Sequence, residues 1–157
     1  MMLRLCRARR ATVQTRSVIE VERLTVRPDR VVCDVVVAPG APRCSSLLLA
    51  DHIRAAFPDV PSHACVNDDG DTFGAVLERT SLPHVLEHLV ISLQARAEAA
   101  SAPGAGDGVV FVGTTEWTDE LAGRARVEVS FTDDLVALRA FRDATHFLND
   151  AVLTCSP

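Results

Sequence analysis

Residues 82–94, LPHVLEHLVISLQ, constrain the fold of this chain more than any other stretch. Apolar residues recur there every three or four positions, which is the period of one face of an α-helix. They are Leu82, Val85, Leu86, Leu89, Val90 and Leu93. A helix with such a face has to lie against a hydrophobic core. The sequence therefore predicts a central helix that is held in place by its apolar side.

The same helix carries His84, Glu87 and His88 in the spacing H-x-x-E-H. Residues four apart lie one above the other on a helix, so the two imidazoles can bind one metal ion. Glu87 comes one position before His88, close enough to act on a metal-bound water. The spacing is that of the inverzincin metallopeptidase motif, whose metal is zinc. The alternative interpretation is a buried helix whose histidines make ordinary hydrogen bonds.

The composition is that of a globular protein with one core. The chain has 157 residues, of which 48% are hydrophobic and 24% charged, as in ordinary single domains. Its net charge of −5 predicts no general attraction to nucleic acid or to anionic membranes. No apolar run approaches the length of a membrane span, and the arginine-rich start lacks the apolar region of a secretory signal. We therefore expect neither nucleic-acid nor membrane partners.

The cysteines indicate the compartment. They are scattered, odd in number and without a C-x-x-C pair: Cys6, Cys33, Cys44, Cys65 and Cys155. This pattern favours free thiols in a reducing compartment over a disulfide framework. We expect a cytoplasmic protein.

Two pairs of predicted strands are separated by predicted helices, and a last helix follows the second pair. Residues 1–16 lack a clean period and are expected to form a flexible segment, and residues 17–157 to form a single domain. The strands fall at residues 17–26, 30–38, 109–115 and 124–131, a short extended piece at 62–66, and the helices at 47–57, 73–79, 82–100 and about 133–153. Thr80 is the expected N-cap of the central helix. This order predicts the α+β class: a two-layer sandwich in which a mixed or antiparallel sheet of about four strands carries helices mainly on one face.

Residues 63–94 also follow the pattern of a known family. A His-x-Cys segment leads through a Gly and Phe stretch into a helix of the form T-x-L-x-H-x-x-E-H that ends in L-Q. The positions are His63, Cys65, Gly70, Phe73, Leu77, Glu78, Thr80, Leu82, His84, Glu87, His88, Leu93 and Gln94. This block resembles the N-terminal domain of cyanophycin synthetase, and the strand and long helix that follow are similar in pattern.

The resemblance implies a function for the block. The family's domain is a binding platform for an Asp/Arg polymer, and in many members it houses a metallopeptidase-like site that trims the polymer. By this analogy His84 and His88 bind zinc, and Glu87 is the general base. No nucleotide-binding motif occurs in the sequence, so polymer synthesis is not implied. The resemblance offers a separate ligase or synthetase as a protein partner, and the sequence leaves open whether one exists.

Two departures from the family pattern leave the third metal ligand open. Ser92 and Ser130 stand where the family tends to have glutamates, and catalytic zinc normally has three protein ligands. The remaining candidates are Glu128, His63, Cys65, Glu116 and His146. Glu128 is the first choice because it shares a strand face with Ser130, and His63 is the second.

Two functions follow from these observations. The first is a zinc-dependent, peptidase-like hydrolase that acts on a polyamino-acid or peptide substrate. The alternative is a non-catalytic domain that binds polymer or a ligase and keeps a degenerate metal site. A structural zinc site is a weaker interpretation, because such sites are usually closed by paired cysteines. The sequence leaves the oligomeric state open.

Overall fold

The computed structural model describes residues 17–104 and 108–155, so the segment 1–16 that was expected to be flexible lies outside the described residues. Strands in the described part are β1 (Ile19–Val26), β2 (Arg30–Val37), β3 (Ala64–Asn67), β4 (Gly70–Thr72), β5 (Gly113–Asp119) and β6 (Arg124–Ser130). The helices are α1 (Leu47–Ala56), α2 (Leu82–Ser101) and α3 (Asp134–Cys155). Short 3-10 turns lie at Val60–Ser62 and Phe73–Ala75.

The four longer strands form one antiparallel sheet in the order β1-β2-β6-β5. β1 and β2 form one hairpin, β5 and β6 form the other, and β2 pairs with β6 in the middle. This arrangement confirms the predicted α+β class. The small sheet formed by β3 and β4 was not predicted.

One face of the large sheet carries the core. The buried side chains on this face of β2 and β6 are Val31, Cys33, Val35, Val37, Ala125, Val127 and Val129. Apolar residues of α2 and α3, such as Leu86, Leu89, Phe141 and Leu148, belong to the same cluster. Burying one leucine fully stabilises the fold by about 2 kcal/mol. The helices thus cover one face of the sheet, as the sequence predicted. Among the described residues, no helix combines the length and apolar character needed to cross a bilayer.

The opposite face of the sheet is polar. Arg126 on β6 pairs with Asp34 on β2 at 3.0 Å, and Glu128 pairs with Arg30 at 3.4 Å. These ion pairs join neighbouring strands on the face that the helices leave uncovered. Exposed pairs of this kind contribute less than about 1 kcal/mol each.

β5 lies further along the chain than predicted. The strand was expected at residues 109–115, with a polar connection after it, but it runs through Glu116 and Trp117 to Asp119. Its register with β6 extends from the pair Gly113 and Val129 to the pair Asp119 and Arg124. Pairing with β6 supplies the hydrogen bonds of this stretch, whose threonines and tryptophan favour a strand despite its polar character.

The helix predicted over residues 73–79 is only a 3-10 turn, Phe73–Ala75. A Cβ on Gly74 would stand 2.8 Å from the carbonyl oxygen of Pro61, so this turn lies directly against the turn Val60–Ser62. The cap of α2 also differs by one residue. Ser81, not Thr80, accepts the hydrogen bond from His84 N–H, and Thr80 is used elsewhere.

Candidate metal centre

α2 brings His84, Glu87 and His88 to one side of the protein. The helix starts at Leu82 behind its Ser81 cap, and its apolar residues hold it against the sheet. His88 is 2% exposed and Glu87 5% exposed, whereas His84 is half-buried. The predicted helical spacing therefore places all three groups in a sheltered environment.

Cys65 on β3 supplies a third donor. Its Sγ lies 3.5 Å from His84 Nε2. Among the described residues, one donor atom each from Cys65, His84 and His88 lie within 4.8 Å of one another. Three such atoms at this separation can hold a metal ion.

His84 is oriented by a neighbouring hydroxyl. Thr80 Oγ1 lies 2.7 Å from Nδ1 of His84, and Ser45 Oγ holds Thr80 by accepting a hydrogen bond from its N–H at 3.0 Å. When Nδ1–H donates to Thr80, Nε2 keeps its lone pair. The ring thus presents to Cys65 the nitrogen that can bind a metal.

A chain of polar contacts fixes His88 in the same way. Nδ1 of His88 lies 3.2 Å from Nδ1 of His63, and Nε2 of His63 lies 3.3 Å from Oδ2 of Asp59. Because an ionised carboxylate only accepts, His63 donates from Nε2, and its Nδ1 accepts from His88 Nδ1–H. Nε2 of His88 is then the nitrogen with a free lone pair. Such a carboxylate–histidine arrangement is the usual support of a metal-binding histidine.

Asp59 is held in its ionised form. Burial opposes ionisation, but hydrogen bonds from Ser92 at 2.6 Å and Arg96 at 2.9 Å outweigh it and lower the pKa of Asp59 to about 2. The Asp59 carboxylate that ends this series of contacts is therefore charged at neutral pH.

Burial of His88 and partial burial of His84 favour their neutral forms. Phe73, itself fully buried, stacks on His88 with 3.9 Å between ring centroids and meets His84 edge-on at 5.0 Å. Burial, with the nearby His84 and His63, lowers the pKa of His88 to about 3. Burial also lowers the pKa of His84. Neutral imidazole is the form that binds a metal.

Glu87 points from α2 toward β5. Its Oε2 accepts a hydrogen bond from Thr115 Oγ1 at 2.6 Å, and its side chain lies over the backbone of Gly113. Burial raises the pKa of Glu87 to about 6, although the Thr115 hydroxyl acts in the opposite direction. A carboxyl with such a pKa is ionised at neutral pH and can still take up a proton.

These groups line a cavity of about 600 Å³ between α2, β3 and β5. Cys65, His84, Glu87 and His88 all contribute to its wall, and Trp117 closes part of the β5 side. This volume is within the range of sites that bind small molecules or peptide segments.

The structure brings together some of the predicted ligands and separates others. Cys65 joins His84 and His88, and His63 contacts His88 from behind. Glu128, the first choice from the sequence, points to the other face of the sheet and pairs with Arg30. Glu116 is exposed at the cavity mouth, and His146 is exposed on α3 beside β1. Cys65, not Glu128, is therefore the residue that lies with His84 and His88.

The two serines that depart from the family pattern are engaged elsewhere. Ser92 Oγ donates to Asp59, and Ser130 Oγ accepts a hydrogen bond from Val112 N–H at 2.9 Å. Neither serine is part of the cluster of three donors. Ser92 nevertheless reaches the cluster indirectly, through Asp59 and His63.

Several functional groups were not predicted from the sequence. Thr80 was assigned to a helix cap, although its position four residues before His84 is the spacing of side-chain contacts on helices. Asp59 stands four residues before His63, but the two lie in a turn that no periodic pattern marks. Gly113 and Thr115 approach Glu87 only because β5 packs beside α2.

Comparison of the sequence with models of known protein families finds no match, and neither does comparison with curated proteins. The relationship inferred from residues 63–94 is therefore carried forward as a proposal.

Proposed function

We propose that this chain is a zinc-dependent hydrolase that cleaves amide bonds in a peptide or polyamino-acid substrate. Cys65, His84 and His88 bind the zinc ion, and Glu87 is the general base. The observation that carries the proposal is the meeting of three metal donors and a buried carboxylate in the wall of one cavity.

The donor set suits zinc. One thiolate and two imidazoles are typical zinc ligands, and bond lengths of about 2.3 Å to sulfur and about 2.0 Å to nitrogen put a sulfur and a nitrogen donor of a tetrahedral site about 3.5 Å apart. The distance from Cys65 Sγ to His84 Nε2 is 3.5 Å. Three protein donors leave a fourth position open, which is the arrangement of catalytic zinc sites.

Glu87 has the properties of a general base. It lies on the same helix as two donors, and its pKa of about 6 keeps it ionised at neutral pH without making it too weak a base. Thr115 holds one carboxylate oxygen by its hydroxyl, which leaves the other oxygen for a proton transfer. A bound zinc ion would lower the pKa of its water and polarise the scissile carbonyl.

The resemblance to the cyanophycin synthetase N-terminal domain supports the reaction class and suggests an Asp/Arg polymer as the first substrate to test. It also suggests a separate ligase or synthetase as partner. A cytoplasmic location agrees with the site, since the thiol of Cys65 has to stay reduced in order to bind zinc.

A second function is favoured by Ser92. This serine stands where the family tends to have a glutamate, and its hydroxyl is committed to Asp59. The domain would then bind polymer or a ligase without cleaving it and would keep only part of the metal site.

The test begins with the zinc content of the purified protein. We expect about one zinc per chain in the wild type and a loss of zinc in Cys65→Ala and His88→Ala. His146→Ala is the matched control, because His146 is exposed on α3. Hydrolysis of Asp/Arg polymer and of short peptides is then compared between the wild type and Glu87→Gln. Absence of zinc after zinc is supplied contradicts the hydrolase, and zinc binding without cleavage favours the binding domain.

A further inference from the structure

The outer edge of β5 is free for pairing in the described part of the chain. The sheet order ends at β5, whose described strand partner is β6. Ser130 N–H donates to the Val112 carbonyl at 2.8 Å, and bonded and non-bonded pairs alternate along an antiparallel ladder. The N–H and C=O groups of Gly113, Thr115 and Trp117 therefore point away from β6.

The cavity lies along this free edge. Every residue from 110 to 117 lines it. Alternate side chains of a strand point to opposite faces, so consecutive residues share a cavity when it meets the strand at its edge. Glu87 lies against this strand at Gly113 and Thr115, and Cys65, His84 and His88 line the same cavity from β3 and α2.

Three exposed valines lie at the mouth of the cavity, beside Glu116. Val66 on β3 is fully exposed, and Val110 and Val112 are 82% and 63% exposed. All three line the cavity. Large exposed apolar side chains grouped at one site mark a binding surface. The acidic lining residues are Glu87 and Glu116, and the described lining contains no arginine or lysine.

We propose that the cavity binds an extended peptide with apolar side chains as an additional strand on the edge of β5. This inference rests on the proposed hydrolase and names its substrate class. The backbone of the peptide pairs with Gly113 and Thr115, and its side chains contact Val66, Val110 and Val112. Main-chain hydrogen bonds give such complexes affinity, and the side-chain contacts give them specificity.

Pairing at this edge brings the peptide backbone to the catalytic groups. Gly113 and Thr115 are the two residues of β5 that lie against the Glu87 side chain. An amide of the bound peptide therefore lies beside Glu87 and faces the donors on α2. The exposed valines favour contact with apolar side chains. The described lining also contains no arginine or lysine that could pair with the aspartates of an Asp/Arg polymer.

Binding can be measured without metal or turnover. Trp117 is the only tryptophan of the chain and lines the cavity, so its fluorescence reports on occupancy. The protein is metal-free Glu87→Gln, and the probes are capped peptides of alternating alanine and valine, or of alternating aspartate and arginine, of equal length. We expect the apolar peptide to bind at least about tenfold more tightly. Methylation of the backbone nitrogens of the apolar peptide should weaken its binding by a similar factor, because the N–H groups that donate to β5 are lost.

Variants of the mouth give the matched comparison. Val66→Asp and Val112→Asp should each lower the affinity for the apolar peptide by about tenfold. Leu121→Asp should leave its affinity unchanged, since Leu121 is 93% exposed but lies outside the cavity lining. Equal affinities for the apolar and the charged peptide overturn the proposal. So does a methylated apolar peptide that binds as tightly as the unmethylated one. So does a dimer of the wild type that occupies the β5 edge and excludes the peptide. Because no zinc is present, failure of this test leaves the zinc-content test of the hydrolase standing, and the reverse also holds.

Discussion

The backbone of Gly113 on β5 lies directly against the side chain of Glu87 on α2. A Cβ added at Gly113 would stand 2.6 Å from both Cγ and Oε1 of Glu87. This is closer than two non-bonded carbon atoms approach in proteins. The conformation of the proposed general base therefore depends on the absence of a side chain at position 113.

Gly113→Ala should move Glu87 out of position. We expect the variant to keep its zinc, because Cys65, His84 and His88 are untouched, and to lose peptide hydrolysis by about 100-fold. Overpacking should lower the free energy of unfolding by about 1–3 kcal/mol, measured by urea denaturation. Gly108→Ala is the control, since nothing lies within 4 Å of its added Cβ. Unchanged hydrolysis in Gly113→Ala would show that the position of Glu87 does not matter.

Glu87→Gln should stabilise the metal-free protein at alkaline pH. Burial raises the pKa of Glu87 from 4.5 to about 6, so the folded state binds this proton more tightly than the unfolded state. The stability contributed by the protonated group is present below pH 4.5 and is lost as the pH rises through 6. Glutamine does not ionise and avoids this loss, which amounts to about 2 kcal/mol.

The measurement is urea unfolding in a chelating buffer at pH 5 and pH 8. We expect Glu87→Gln to be more stable than the wild type at pH 8, with a smaller difference at pH 5. Glu116→Gln, an exposed carboxylate on the same side of the protein, should have little effect at either pH. A stability difference independent of pH would contradict burial of the charge as its cause.

Asp59→Asn should weaken zinc binding although Asp59 touches no metal donor. Asp59 fixes His63, and His63 fixes the ring of His88. Loss of such a supporting carboxylate typically costs about 10- to 100-fold in metal affinity. The dissociation constant is measured by competition with a chromophoric chelator. Asp51→Asn is the control, because Asp51 also pairs with an arginine, Arg54, but belongs to no histidine network. Equal affinities in the two variants would separate Asp59 from the metal site.

Neighbouring hydroxyls at the start of α2 should have separable roles. Thr80→Val removes the hydrogen bond to His84 Nδ1 and should weaken zinc binding by about tenfold. Ser81→Ala removes the helix cap and should lower the free energy of unfolding by about 1 kcal/mol, with little change in zinc affinity. Chelator competition and urea denaturation on both variants test this. A loss of zinc affinity in Ser81→Ala equal to that in Thr80→Val would contradict the assignment.

The sequence predicts the parts of the fold whose periodicity is strong. α2 has a cap, a proline in its first turn and a continuous apolar face, and β6 alternates strictly, so both were placed within a residue or two. β5 extends beyond its predicted end because Glu116 and Asp119 resemble a polar connection, although its threonines and Trp117 favour a strand. The sequence predicts a helix over residues 73–79 because a good N-cap precedes apolar residues there. The structure has only the turn Phe73–Ala75, since the sequence does not determine how far a short helical segment continues.

The site was predictable only as far as one helix carries it. The positions of His84, Glu87 and His88 relative to one another follow from helical geometry, whereas the approach of Cys65 to the two histidines depends on how β3 folds against α2. The structure places Glu128 away from the cluster of three donors, for a reason visible in the sequence. Ala125, Val127 and Val129 are the apolar set of β6 and face the helices, so Glu128 has to face away from α2 and from the three donors.

The described cysteines should differ in their reaction with iodoacetamide in the native protein. Cys44 is exposed and should react fastest. Cys33 is fully buried, and burial, with the charge of Asp34, raises the pKa of its thiol from 9.0 to about 12, which lowers its thiolate fraction about 1000-fold. Cys65 is half-buried and should react in the metal-free protein but become at least about tenfold slower when zinc is bound, since a coordinated thiolate is no longer free. Peptide mapping by mass spectrometry after timed labelling gives each rate, and labelling in urea shows that every thiol is detectable. Equal labelling of Cys65 with and without zinc would exclude it as a ligand, and the metal site would then have to be completed by another donor.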